Sequence, residues 1–251
     1  MNVSISASSA RSSTASEAAQ RLLKVGGITP FTATDFPGKL AAVVFAQGCA
    51  WRCGYCHNPH LQPRLHKSPL QWPRVLGLLQ KRVGLIDAVV FSGGEPTVDP
   101  GLPDAIRDVR KLGFEVGLHT GGAYPRHLEE VLPQVDWVGI DVKAPFDQYE
   151  NVTGVPDSGI PARASLEAVL ASGVKYEVRT TAHPTLLPEE TIAQLAHELA
   201  AMGVTNYALQ VFRAQGCKDK ALKAAALAGY PRADLEQKLS ALFPKFTLRQ
   251  A

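Results

Sequence analysis

Eleven residues carry most of the chemistry open to this chain: Cys49-Ala50-Trp51-Arg52-Cys53-Gly54-Tyr55-Cys56-His57-Asn58-Pro59. Three of the four cysteines fall here, separated by three residues and then by two. One loop can turn thiolates of that spacing toward a common centre. Iron–sulfur clusters are held by such thiolates, usually four of them. A loop that offers three leaves one iron of a four-iron cluster without a protein ligand. An iron with an open position can bind a substrate, as open catalytic metal sites do and closed structural sites do not. The same residues also permit a plainer site, a four-ligand zinc centre completed by His57 or Cys217. A disulfide framework fits less well, because four cysteines in 251 residues are sparse and no apolar secretion signal precedes them.

Other reactive residues stand just after short apolar runs. Gly93 and Gly94 lack side chains, so a ligand can approach their backbone, and Glu95 adds a carboxylate beside them. The alternative is a tight strand-to-helix turn with a solvated Glu95. Asp141 and Lys143 are two apart, so on a strand they share one face, opposite Val138, Ile140 and Val142. They could meet a zwitterionic ligand or form an ordinary rim ion pair. Arg179 can grip a carboxylate with a bidentate fork or serve as a structural rim arginine. His119 and His183 receive no role. Cys217 reads as a free thiol, with a fourth metal ligand as the lesser alternative. Asn151-Val152-Thr153-Gly154 reads as a turn.

These positions need a scaffold that gathers strand ends. Apolar, β-branched runs at 39–45, 87–91, 114–119, 137–143, 175–180 and 207–212 read as buried strands. Between them, helical spacing predicts helices at 69–83, 102–112, 125–132, 163–172 and 188–202, with glycines closing several of them. Two further helical stretches follow at 219–227 and 232–242. Strand–helix alternation of this kind implies α/β structure, with parallel strands joined by right-handed crossovers. Six units fit a partial, partly open (β/α)6 barrel, and a doubly wound open sheet is the other architecture the pattern allows. In either, functional groups gather at the C-terminal strand ends, where the cysteine loop and the residues above fall.

Composition sets outer bounds. With 45% hydrophobic residues the chain can bury a sizeable core. A net charge of +3 without a Lys/Arg block does not make a nucleic-acid protein. No apolar run is long enough to span a bilayer. Residues 1–22 are Ser- and Ala-rich and read as a disordered extension. Residues 23–251 then form one domain with a C-terminal helical segment. Reduced cysteines without an export signal point to the cytoplasm.

The CxxxCxxC spacing with an aromatic, Tyr55, before its third cysteine resembles the radical S-adenosylmethionine enzymes. The tail Cys56-His57-Asn58-Pro59, with Thr34-Asp35-Phe36-Pro37-Gly38-Lys39 and Phe45-Ala46-Gln47-Gly48-Cys49 upstream, resembles the glycyl-radical-enzyme activating proteins. Within these it looks like the activator of anaerobic ribonucleoside-triphosphate reductase. The resemblance spans residues 25–215 and implies a radical SAM barrel. It implies a [4Fe–4S] cluster held by Cys49, Cys53 and Cys56. It places S-adenosylmethionine against Tyr55, Gly93, Gly94, Glu95, Asp141, Lys143 and Arg179. The implied activity is reductive cleavage of that cofactor to a 5′-deoxyadenosyl radical, which takes hydrogen from a glycine Cα on a partner enzyme. No second cysteine cluster follows Cys56, so electrons come from an external donor such as flavodoxin. Tyr149-x-x-x-Thr153-Gly154 resembles a segment near the partner-docking side of activators. Ala50 departs from the Asn that many relatives carry. A radical SAM enzyme acting on a small molecule, such as a 7-carboxy-7-deazaguanine synthase, fits the Cys-His-Asn-Pro tail less well. A non-catalytic metal-binding protein is the remaining alternative.

Overall fold

The expected apolar runs all become strands, and two strands flank them that no apolar run announces. A computed structural model describes residues 21–225 and 229–250. In order these form β1 (Val25–Thr32), β2 (Ala41–Ala46), α1 (Trp72–Gln80), β3 (Ala88–Gly93), α2 (Leu102–Lys111), β4 (Glu115–Thr120), α3 (Pro125–Val131) and β5 (Trp137–Asp141). They continue with α4 (Glu150–Thr153), α5 (Gly159–Ser172), β6 (Lys175–Ala182), α6 (Glu189–Ala201), β7 (Asn206–Val211), α7 (Lys220–Ala224), α8 (Ala233–Leu242) and β8 (Lys245–Arg249). The eight strands make one sheet in sequence order. Strands β2 to β8 run parallel, and β1 lies antiparallel to β2. The six-strand expectation is thus extended by one strand at each edge. β1 carries two glycines and a proline, and β8 has one exposed and four half-buried residues, so neither shows an apolar run.

Residues 1–20, most of the expected Ser/Ala-rich extension, lie outside the described residues, as does Leu227 in the expected helix at 219–227. Arg21 is described, and its backbone N–H donates to Asp104 Oδ2.

Period-two alternation sorts the strand residues into two cores. Ala42, Val44, Val89, Phe91, Val138 and Ile140 join the large core beneath the helices. Ala41, Val43, Ala88, Val90 and Trp137 turn to the other side and form a smaller core with Phe36. Phe36 comes from the loop joining β1 to β2 and packs on Trp137 with ring centroids 5.5 Å apart. Residues from β2, β3 and β5 can meet on this side because the sheet curls. The dry core thus plugs the barrel at the N-terminal ends of its strands, while the C-terminal ends surround an open cavity.

Candidate active site

The cysteine loop leaves β2 at Ala46 and is fixed by its own backbone. Gly48 N–H donates to Leu61 O and Cys49 N–H to Gln62 O, while Cys56 N–H closes a turn on Cys53 O. The thiols of Cys49, Cys53 and Cys56 are free, half-buried and part of the lining of one cavity of about 510 Å³. That volume lies within the range of about 300–1,000 Å³ usual for small-molecule sites. Burial pushes the Cys49 thiol up to about 11, with the Glu95 carboxylate adding to the shift. Burial also raises Cys53, and the Lys143 ammonium opposes it. Metal loading must therefore displace protons from both.

Every parallel strand beyond β2 brings residues to this cavity. Ser92 and Gly93 end β3 and are followed by Gly94 and Glu95, and His119 and Thr120 end β4 and are followed by Gly121. Asp141 and Lys143 follow β5, Arg179 and Thr181 come from β6, Gln210 and Arg213 from the end of β7, and Arg249 and Gln250 from β8. The strand-end clustering read from sequence is present, with Trp51, Thr34, Asp35 and the β8 residues added. The β8 pair was missed because its strand was missed. Trp51 gave a signal, an aromatic inside the cysteine motif, which the sequence reading left unused.

The glycine turn has a different reason for its glycines from the one expected. A Cβ on Gly93 would stand 2.4 Å from Ala46 O, and one on Gly94 would stand 2.2 Å from Gly48 O. The main chain at Ala46 and Gly48 is by itself enough to demand the missing side chains. Gly94 N–H donates to Ala46 O and Glu95 N–H to Gly48 O, tying the two loops together. Glu95 is only 1% exposed and is not solvated. Its Oε1 accepts from Thr97 N–H, the Thr97 hydroxyl and the Thr120 hydroxyl at 3.2, 2.6 and 2.7 Å. Its Oε2 accepts from Gly121 N–H at 2.8 Å.

Asp141 and Lys143 share one side, as expected, with Nζ 3.7 Å from Oδ2. Lys143 is nearly buried, and its ammonium lies 5.6 Å from the Trp51 ring and 5.9 Å from the Tyr55 ring. Burial works against its charge, but the Tyr55 oxygen and the Asp141 carboxylate outweigh this and hold its pKa above the ordinary lysine value. Tyr55 itself is buried, which raises its hydroxyl pKa. The Tyr149 hydroxyl links this pair to the scaffold: it accepts from Lys143 N–H at 3.0 Å and donates to Asp141 O at 3.2 Å. The Tyr149 ring meets Trp51 edge-on at 5.6 Å, and Thr153 O accepts from Arg52 N–H. The Tyr149–Gly154 segment is thus a brace for the cysteine loop, with Thr153 and Glu150 closing a short helix ahead of Gly154.

Arg179 makes internally the carboxylate pairing expected with a ligand. Its Nε donates to Glu177 Oε1 at 3.0 Å, its Nη2 lies 3.2 Å from His119 Nε2, and its guanidinium stacks 4.9 Å from the Trp137 ring centre. Arg249 pairs with the same Glu177 at 2.9 Å. Burial and the Arg179 charge hold His119 well below its ordinary pKa, so it is neutral. His183 is buried, with Nε2 3.0 Å from Leu222 O and Nδ1 accepting from Thr185 N–H. Both histidines are structural.

Of the two fourth ligands a zinc centre would use, Cys217 is turned away from the three loop cysteines, while His57 lies beside them. The Cys217 thiol faces the Gly54 and Asp219 carbonyls, at 3.5 and 3.8 Å, and does not line the cavity. His57 Nε2 is buried without a hydrogen-bond partner.

Comparison with known proteins identifies the family. The radical SAM superfamily matches residues 43–201. A protein named as a glycyl-radical enzyme activating enzyme in Methanocaldococcus jannaschii is 30% identical over 79% of this chain and 84% of its own. The pyruvate formate-lyase-activating enzyme of Clostridium pasteurianum is 34% identical over 69% of this chain and 75% of its own. The structure of Streptococcus suis SuiB bound to S-adenosylmethionine has the same fold, with a TM-score of 0.62 and 14% identity over 82% of this chain and 48% of that one. The chain belongs to the radical SAM superfamily and, within it, to the glycyl-radical-enzyme activating enzymes.

Enzymes of this family use a [4Fe–4S] cluster and S-adenosylmethionine and act on a glycyl-radical enzyme. The residues present fit those groups. Three unpaired thiols share a wall with a carboxylate, a buried ammonium and an unpartnered imidazole nitrogen. Among the described residues, no helix is long and apolar enough to cross a membrane.

Proposed function

We propose that this enzyme installs a glycyl radical on anaerobic ribonucleoside-triphosphate reductase, drawing electrons from a flavodoxin-like donor in the cytoplasm. The observation that carries the reading is the shared cavity, where three free thiols, the Gly93–Glu95 turn and the Asp141–Lys143 pair meet.

Cys49, Cys53 and Cys56 would hold three irons and leave the fourth open. When bound, the cluster supplies one electron that splits S-adenosylmethionine into methionine and a 5′-deoxyadenosyl radical, which abstracts a glycine hydrogen. The chain's own task is placement. Asp141 and Lys143 offer opposite charges to the ammonium and carboxylate of the methionine end, through charge-assisted hydrogen bonds. Gly93 and Gly94 offer main chain, and Glu95 Oε2, with its single protein donor, keeps capacity for a ligand N–H. Tyr55 and Trp51 shape the wall, and Arg179 borders the ligand as part of a floor already neutralised by Glu177. A radical that abstracts hydrogen from whatever lies near it makes such positioning decisive.

The test is to mix reduced, iron-loaded protein, S-adenosylmethionine and candidate partners, and to look for a glycine-centred doublet by electron paramagnetic resonance. A doublet on the anaerobic reductase is expected. A doublet only on pyruvate formate-lyase would move the assignment to that partner, a second reading supported by the Clostridium pasteurianum relative. Absence of S-adenosylmethionine cleavage from a fully loaded, reduced protein would end both readings.

A further inference from the structure

The cysteine loop has an outer face as well as a cavity face. It is clasped by the return from β7 through α7, residues 213–224. A Cβ on Gly216 would stand 2.3 Å from His57 O, so this loop rests directly on the cysteine motif. The Cys217 thiol donates to Gly54 O, and the Leu222 side chain lies against Gly54. Gly54 itself, between Cys53 and Tyr55, is exposed.

The clasp is strongly cationic. Arg213, Lys218, Lys220 and Lys223 are all exposed. They face one acid within the same eleven residues, which gives an excess of three positive charges, as large as the +3 of the whole chain. That acid, Asp219, is committed to capping α7 through Ala221 N–H and Leu222 N–H. Arg52, exposed on the cysteine loop itself, spends its guanidinium on the Cys49 and Trp51 carbonyls. Among the described residues, none of these five basic side chains enters an ion pair, although Arg163, Arg232 and Lys238 elsewhere on the surface do. Arg52, Lys218, Lys220 and Lys223 stay outside the cavity lining; Arg213 alone reaches it.

We infer that this patch docks an acidic one-electron donor protein on the outer face of the cysteine loop. The inference rests on the functional reading above. A donor that approaches on this face leaves the cavity mouth clear for S-adenosylmethionine and the glycine segment. The exposed stretch at Gly54 provides the approach, within a few residues of two thiols. Each docking event transfers one electron: the donor is oxidised by one and the cluster reduced by one, with no bond made or broken. Clustered like charge speeds encounter with an oppositely charged protein, by about 10–10³-fold at low salt. The effect fades as the screening length falls from about 10 Å at 0.1 M salt.

The test is a triple reversal, Lys218→Glu, Lys220→Glu and Lys223→Glu, with the triple Lys→Gln variant as a milder companion. An acidic flavodoxin is the probe. Calorimetry on the protein with and without its cluster measures docking, and stopped-flow absorbance measures cluster reduction by flavodoxin hydroquinone. The expected result is flavodoxin affinity reduced at least tenfold in the reversal and less in the Gln variant. The salt dependence should be flattened in both, and cleavage driven by dithionite should stay within about twofold of the parent. Unchanged flavodoxin affinity would overturn the inference. So would equal loss with flavodoxin and dithionite, which would make the patch a support for the cluster. So would a glycyl-radical yield that falls under dithionite while cleavage does not, which would assign the patch to the radical-accepting partner. Failure of dithionite cleavage in the parent protein would instead count against the functional reading alone.

Discussion

The two ends of the barrel interior are built to opposite rules. At the floor, side chains satisfy one another. Phe36, Trp137 and Val90 exclude water, and Glu177 is paired with both Arg179 and Arg249. At the mouth, three half-buried thiols and the buried His57 Nε2 have no ion-pair or side-chain partner among the described residues. Buried polar groups are ordinarily paired, so the mouth is incomplete and the floor is finished. The difference separates side chains left without protein partners from side chains already paired within the fold, and Arg179, bound to Glu177, stands with the second.

Four substitutions would break or sharpen that contrast, in descending order of expected effect. Cys53→Ala should abolish iron retention and S-adenosylmethionine cleavage while leaving the apo protein's thermal midpoint nearly unchanged. Iron analysis and calorimetry check this, and a large loss of apo stability would show that the mouth also holds the fold. Glu95→Ala crosses the boundary and should cost both. It strands four donors, so stability should fall by about 3 kcal/mol or more, since each unpaired buried donor costs about 1–3 kcal/mol. Urea unfolding reads that change.

Lys143→Met should weaken S-adenosylmethionine binding tenfold to a hundredfold, as hydrogen bonds to charged groups contribute about 1.5–3 kcal/mol. Isothermal titration of the loaded protein measures it, and an unchanged affinity would remove Lys143 from the site. The smallest effect belongs to the floor. Burial raises the Glu177 pKa, but the hydrogen bond from Arg249 and the charge of Arg179 outweigh it and leave it lowered from 4.5. A depressed folded-state value means that the carboxylate stabilises the fold above its unfolded pKa, and that this contribution is lost as pH falls through the folded value. The thermal midpoint should therefore drop below pH 4.5 more steeply in the parent than in Glu177→Gln, while cofactor affinity at neutral pH changes little. Parallel pH profiles of both proteins decide it.

Sequence legibility followed the same division. Central strands announced themselves because they are buried on both faces and read as unbroken runs, as in Val43-Val44-Phe45 and Val89-Val90-Phe91. The edges did not. β1 is half-exposed and broken by Gly26, Gly27 and Pro30, and β8 is too short and too polar to stand out. Cavity-lining residues such as Cys49 and Glu95 were legible, because the chemistry of a thiol or a carboxylate is local to its type. Residues whose partner comes from elsewhere were not. Nothing near Arg179 in sequence says that Trp137 lies beneath it or that His119 borders it. Nor does Gly94 reveal that the carbonyl of Gly48, forty-six residues earlier, occupies the space of its absent side chain.

The weld between Gly94–Glu95 and the Ala46 and Gly48 carbonyls has a consequence of its own. It makes the cysteine loop and the glycine turn one mechanical body, so that a displacement of one carries the other along. A side chain added at either glycine would therefore disturb the turn and the cysteine loop together.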